Sequence, residues 1–151
     1  MVFVVIAGII FLLDTIIKFI MEKKMQERVR VPIFGGKLFL TKHHNQGAFL
    51  SLGEKRFAVI RLVSIVLTML CVLVFLVTLG KHGQLLMKTG MTMLLGGAFS
   101  NTCDRLTRHY VVDYFGFNVK NERFRNIIFN ISDFFIMIGA ALVVIGLPAG
   151  K

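Results

Sequence analysis

FAVIRLVSIVLTMLCVLVFLVTL, residues 57–79, is the cleanest apolar run in the chain. A helix needs about 20 mostly apolar residues to cross the hydrocarbon of a bilayer. Three further stretches match that requirement: residues 2–20, residues 127–147, and a weaker one rich in Gly, Met and Thr at residues 85–101. The third reaches residue 104 if its helix continues through the polar end. The chain has 151 residues, is 56% hydrophobic and has a mean hydropathy of +0.76. Four spans, at about 2–20, 57–79, 85–104 and 127–147, use most of it. The expected fold is therefore an all-α membrane protein, one domain over residues 1–151, with no separate soluble module, internal repeat or low-complexity tract.

The first segment reads as a retained helix, not a cleaved signal peptide. It has no basic leader, Asp14 and Lys18 interrupt its apolar core, and no small-x-small cleavage site follows. The formal charge of +10 does not point to nucleic acid. The basic residues lie between hydrophobic spans, where anionic lipid headgroups are the expected partner. Cys71 and Cys103 have no CxxC spacing and read as packing residues. His43 and His44 lack a third ligand at metal spacing, so no metal or cofactor is expected.

The long connection at residues 21–56 carries a strand signal. Val29, Val31 and Ile33 alternate with Arg30 and Pro32, Gly35-Gly36 follows, and then Lys37-Leu38-Phe39-Leu40-Thr41. Gly-Gly between two such runs predicts a hairpin, hence a small sheet between the first two helices. Residues 105–126 form the second long connection, with Tyr110, Tyr114, Phe115, Phe117 and Phe124 among Lys120, Arg123 and Arg125. That mixture suits the headgroup interface. With four spans the two connections share one side. They hold Lys23, Lys24, Arg28, Arg30, Lys37, Lys42, Lys55 and Arg56, then Arg105, Arg108, Lys120, Arg123 and Arg125, against Lys81, Lys88 and Lys151 opposite. The positive-inside rule would place the long connections in the cytoplasm.

Two aspartates at the edges of apolar segments carry the chemistry: Asp113 in Val111-Val112-Asp113-Tyr114-Phe115 and Asp133 in Phe129-Asn130-Ile131-Ser132-Asp133. A carboxylate among Val, Ile and Phe is costly, and ionisable groups kept at membrane depth are functional by default. Two such acids brought together can share a proton and activate water. Other polar residues fall at helical spacing. Asp14 and Lys18 are four apart and can pair. Asn101 and Asp104 share a face if the helix continues, and Asp104-Arg105 can be a helix-end charge pair. Asn130 stands three before Asp133, where its amide can orient the acid. Asn45 and Gly47 form a turn with an amide to offer.

Together these motifs resemble lipoprotein signal peptidases, the signal peptidase II family, in order over nearly the whole chain. Asp14-Thr15-Ile16-Ile17-Lys18 is similar to the family's first-helix motif, and Asn45-Gln46-Gly47-Ala48-Phe49 to its Asn-x-Gly motif. Gly96-Gly97-Ala98 with Asn101-Thr102-Cys103-Asp104-Arg105 resembles its Gly-Gly-Ala…Asn-x-x-Asp-Arg motif. Val111-Val112-Asp113-Tyr114 resembles its Val-Val-Asp-Phe box, and Phe129-Asn130-Ile131-Ser132-Asp133 its Phe-Asn-x-Ala-Asp box. Ser100 stands where the family often has Gly, and Ser132 where Ala is common. The Ser132 hydroxyl is placed to alter the hydrogen bonding of its neighbour.

The resemblance implies an aspartic peptidase of the bacterial plasma membrane that removes signal peptides from prolipoproteins, cutting before a diacylglyceryl-modified cysteine. It puts the catalytic roles on Asp113 and Asp133, and supporting roles on Asp14, Lys18, Asn45, Gly47, Asn101, Asp104, Arg105 and Asn130. It also implies inhibition by globomycin, an active site near the outer leaflet and cytoplasmic termini, opposite to the charge count; a monomer is expected. In the implied chemistry one aspartate takes a proton from water while the other, protonated, polarises the scissile carbonyl. Asp113, expected on a loop, would then be gated by loop movement. Two rival readings are a small proton-coupled transport subunit, which would usually show more spans or a repeat, and a catalytically silent relative that binds lipoproteins. Serine-type proteolysis lacks a Gly-x-Ser-x-Gly elbow.

Overall fold

A computed structural model describes residues 1–47 and 57–147. Ala48 and Phe49 of the motif that begins at Asn45, and the basic Lys55, Arg56 and Lys151, lie outside the described residues. In chain order the described elements are α1 (Val2–Lys24), β1 (Val31–Ile33), β2 (Leu38–Asn45), α2 (Phe57–Leu79), α3 (Leu85–Thr107), β3 (Val111–Phe117), α4 (Glu122–Arg125), β4 (Ile128–Phe129) and α5 (Ile131–Gly146).

The helices are inverted relative to those of a water-soluble protein. On α1 the buried residues Ala7, Ile10, Asp14, Lys18 and Met21 recur every three or four positions and form one face. The remaining surface exposes Val5, Ile9, Leu12, Ile16 and Phe19. Charge inside and hydrocarbon outside is a stable arrangement only where the surroundings are themselves apolar. α1 and α2 are each long and apolar enough to cross a membrane. α3 is as long but carries Gly, Thr and a polar C-terminal end, and α5 has 16 residues.

Three expected boundaries shift. α1 continues to Lys24 and α3 to Thr107. The helix expected from residue 127 begins only at Ile131, because Ile128 and Phe129 pair with β3 and the Asn130 side chain caps the helix.

α3 is the central helix and packs against α1, α2 and α5. Its small residues set the spacing. A Cβ on Gly90 would stand 2.7 Å from the Gly139 carbonyl oxygen, and a Cβ on Gly97 would stand 2.6 Å from that of Ser132. α3 and α5 therefore pack backbone on backbone, as small residues permit in membranes.

The sheet is antiparallel in the order β1-β2-β3-β4. Its first hairpin turns at Phe34–Gly36, with Gly35 and Gly36 at φ of +64° and +81°, the left-handed region that glycine tolerates. The expectation that the sheet belongs to the first connection alone needs correcting. β3 and β4 come from residues 105–130, because Val111, Val112 and Tyr114 are β-formers buried against the helices. Phe134 of α5 ties the sheet to the helices by packing 5.3 Å from Phe115 and 5.6 Å from Phe129, centroid to centroid.

One irregularity in β2 matters for the site. Leu40 pairs with Phe115 but His43 with Asp113, so β2 has one residue more than β3 between these pairs. Such a bulge reverses the alternation of side chains. It brings Asn45, paired with Val111, onto the same face as Asp113.

The close α3–α5 contact makes a sharp prediction. Gly90→Val is expected to destabilise the protein by about 1–3 kcal/mol or more, because a side chain must push two backbones apart. Gly8→Ala, at a position with nothing within 4 Å, should leave the melting temperature near that of the parent. Thermal unfolding in detergent checks both.

Candidate active site

Asp113 lies in the middle of β3 and Asp133 in the first turn of α5, so the loop expected to carry Asp113 is in fact a paired strand. This corrects the gating expectation, since Asp113 is held by the sheet ladder and by two side chains. His43 and His44 likewise lie in β2. Burial lowers the His43 imidazole below its usual 6.5. His44 stacks on Tyr110 and lies 2.9 Å from Glu22.

Three asparagines organise the two acids. Asn130 is fully buried and forms a reciprocal cap on α5. Its Oδ1 accepts from the Asp133 N–H at 3.0 Å, and its own N–H donates to Asp133 Oδ2 at 3.0 Å. With the Oδ1 so engaged, Nδ2 is free to donate to Asp113 Oδ1 at 2.7 Å. Asn45 follows the same logic, with Oδ1 accepting from the Gly47 N–H at 2.8 Å and Nδ2 donating to Asp113 Oδ2 at 2.8 Å. Gly47 is at φ +90°, and a Cβ there would collide with Ile60 Cδ1, so the turn requires glycine. Asn101 completes the set by donating from Nδ2 to Asp133 Oδ1 at 2.9 Å, while its Oδ1 accepts from the Lys18 ammonium at 2.8 Å. Each of the four carboxyl oxygens thus receives one N–H, and each amide is oriented by a donor on its other end.

Burial, and then the neighbouring Asp133, push the Asp113 carboxyl up to about 7. Two like charges in one low-dielectric site resist ionising together, and the titration belongs to the pair. The arrangement can keep one carboxyl protonated and the other ionised near neutral pH, as acid–base activation of water requires.

Behind the acids lies a second polar layer. Asp14 and Lys18, both fully buried, pair at 2.8 Å as their spacing predicts. Lys18 also reaches Asp104 at 3.1 Å, and Asp104 Oδ2 accepts from the Val112 N–H next to Asp113. Asp104 does not pair with Arg105 as the helix-end reading expected. Its second partner is Arg108 at 3.6 Å, one turn further on. Arg105 instead donates to the Asn101 carbonyl oxygen at 3.2 Å. Asp14, Lys18, Asn45, Gly47, Asn101, Asp104, Arg105 and Asn130 are thus joined to the two acids directly or through one another, whereas, among the described residues, the side chains of His43 and His44 are not.

Reading the sequence for chemistry misses the shared partner of three hydroxyls. Ser100 and Ser132 donate to Asp14 Oδ2 at 2.5 and 2.6 Å, and Tyr114 donates to Asp14 Oδ1 at 3.0 Å. The Ser132 hydroxyl thus turns away from Asp133, toward α1. Only the departures of Ser100 and Ser132 from the family pattern hinted at a role.

A groove of about 380 Å³ opens between α2, α3 and α5, lined by Leu67, Cys71, Ala98, Asn101, Arg105 and Asp133 among others. One wall is apolar and one end carries an acid, an amide and a guanidinium. A second groove of about 410 Å³, between α1, α2 and α3, is lined among the described residues by apolar residues and glycines.

Fold and site define a helical membrane protein in which one asparagine links a buried carboxyl, Asp113, to one that faces the groove, Asp133. The model of the signal peptidase (SPase) II family matches residues 6–148, and the chain belongs to that family. It is 32% identical over 146 residues to a lipoprotein signal peptidase of Halothermothrix orenii, covering 96% of this chain and 93% of that relative. Two solved structures of a bacterial membrane enzyme, obtained by the in meso method at 1.9 and 2.3 Å, share the fold. The first has a TM-score of 0.80 at 25% identity and covers 99% of this chain and 94% of that one. The second has a TM-score of 0.79 at 25% identity and covers 97% and 87%.

The raised Asp113 group makes stability depend on pH. Between the ordinary carboxyl value of 3.8 and about 7 the folded protein holds a proton that the unfolded chain has released. The contribution of this group to stability is therefore full below 3.8 and is lost as pH rises toward 7. Asp113→Asn should flatten that fall. Melting temperatures of parent and variant across this range test it.

Proposed function

We propose that Asp113 and Asp133 are the catalytic pair of this signal peptidase II family enzyme, which removes signal peptides from prolipoproteins. Asp133 takes a proton from a water held between the acids, and the resulting hydroxide attacks the scissile carbonyl. Asp113 donates its proton to the carbonyl oxygen. The observation that carries this reading is the shared anchor: Asn130 bonds both carboxyls while capping α5, so acids 20 positions apart are held in one constellation. Asn45 and Asn101 position the remaining oxygens, Gly47 shapes the turn under Asn45, and Asp14, Lys18 and Asp104 support Asn101 and β3. Arg105 faces the groove, where it is placed to bind the substrate backbone. The chemistry needs water and two carboxyls, without metal or cofactor.

The substrate reading follows from the groove. An apolar wall ending at Asp133 suits a hydrophobic signal segment whose cleavage site carries a diacylglyceryl-modified cysteine, and the same space would admit globomycin-type inhibitors. We further propose four spans, with α3 and α5 joining α1 and α2 across the bilayer of the bacterial plasma membrane. The whole forms one monomeric membrane domain in contact with lipid, with the sheet and active site at the outer leaflet and both termini in the cytoplasm.

Cleavage of a purified diacylglyceryl-modified prolipoprotein tests the assignment. Asp113→Asn and Asp133→Asn should each lower kcat about a thousandfold or more in folded protein, as losing one member of a concerted pair does. Cleavage that survives both substitutions would refute the pair. Arg105→Ala should raise KM, and normal kinetics in that variant would remove Arg105 from substrate binding.

A further inference from the structure

Asp14 is fully buried, yet it lies one layer behind the proposed catalytic pair and is not part of it. Donors from four elements converge on it: Lys18 from its own helix, Ser100 from α3, Tyr114 from β3 and Ser132 from α5. Three of the four are hydroxyls with no charge to neutralise. They fix the position of the carboxylate without changing its net charge. Tyr114 does more, because its oxygen also accepts from the Ile131 N–H at 2.9 Å, in the first turn of α5. One hydroxyl thereby joins the strand of Asp113 to the helix of Asp133.

The consequence runs through Lys18. An ammonium has three protons and no acceptor. Its direction is set by Asp14 on one side and by Asp104 and Asn101 on the other, with the Ser100 oxygen 3.0 Å away. Because Lys18 can only donate, the Asn101 amide must turn its oxygen toward it and its NH2 toward Asp133. An Asn101 amide freed from Lys18 can rotate and set its oxygen against a carboxylate oxygen, which repels it.

We infer that Ser100, Tyr114 and Ser132 are positioning residues for peptide hydrolysis: by clamping Asp14 they aim Lys18 at Asn101 and so fix which end of that amide meets Asp133. The inference rests on the reading of Asp113 and Asp133 as the reacting pair. The three hydroxyls touch neither the acids nor the groove, so they act on the rate of the chemical step and not on substrate binding.

The test is steady-state cleavage of the diacylglyceryl-modified prolipoprotein by Ser100→Ala, Tyr114→Phe, Ser132→Ala and the triple variant, with melting temperatures alongside. Each single variant is expected to lower kcat about 2- to 10-fold, and the triple variant about a hundredfold, with KM unchanged within about twofold. A folded triple variant with parental kcat, or one whose loss lies in KM, would overturn the inference. If the triple variant does not fold, the singles decide, and lowered melting temperatures with parental kcat in all three would mean a purely structural role. In an Asn101→Ala background, the same hydroxyl removals should leave the remaining single-turnover rate unchanged. Equal losses in both backgrounds would show that the hydroxyls act by another route. Failure of the catalytic reading looks different: Asp113→Asn and Asp133→Asn would then cleave normally.

Discussion

A lysine buried to 0% exposure among apolar helices is the constraint on which the rest of the structure depends. An unpaired ammonium in such surroundings is prohibitively costly, and even a paired one is favourable only when every proton is satisfied. Lys18 meets that demand with partners on two helices: Asp14 on α1, and Asp104, Asn101 and Ser100 on α3. Asp14 in turn needs more donors than Lys18 supplies, and these come from Ser100 on α3, Tyr114 on β3 and Ser132 on α5. One charge thus dictates that α1, α3, α5 and the sheet meet at a single height. Dispersion and the glycine contacts of α3 then close the remaining space, because lipid provides no hydrophobic drive between helices.

The same logic explains how a flexible set of amides becomes a defined site. An asparagine has two nearly isosteric ends, and packing alone does not choose between them. Here each choice is made by an obligate donor: the Gly47 N–H for Asn45, the Asp133 N–H for Asn130 and the Lys18 ammonium for Asn101. Only the first two are local backbone features, set by a turn and a helix cap. The third depends on tertiary packing, which is why polar groups remote from the acids matter to them.

Much of this was legible in the chain. Residues 57–79 form the helix their composition predicts, to the residue. The Asp14–Lys18 pair followed from helical spacing, and the hairpin turn from Gly35-Gly36. The support of Asp133 by Asn130 followed from an i, i+3 relation that proved to be a capping box. What was not legible depended on non-local contact. Residues 111–117 read as an aromatic loop because their strand partner, β2, lies some 70 residues earlier and reaches register only through a bulge. Ile128 and Phe129 read as helix because apolar composition does not separate a short edge strand from a span. The common acceptor of the three hydroxyls was not legible, since nothing local marks a serine or tyrosine whose partner lies on another helix.

The charge of the two long connections is a related case. Counted along the sequence, their cations argue for a cytoplasmic location. Folded, several are engaged within the protein. Lys42 contacts Glu22 at 3.7 Å, Arg125 contacts Glu122 at 3.3 Å, and Arg108 contacts Asp104 at 3.6 Å. Arg30 lies over the Phe39 ring and donates to Asn126, and Arg105 sits among the acids of the site. The positive-inside rule counts Lys and Arg whatever acids stand beside them, so these contacts lower the net charge of the folded surface without changing the count. The proposed outward-facing sheet carries a charge its own contacts partly offset, and the anionic headgroups beside it are suited to meet the remainder.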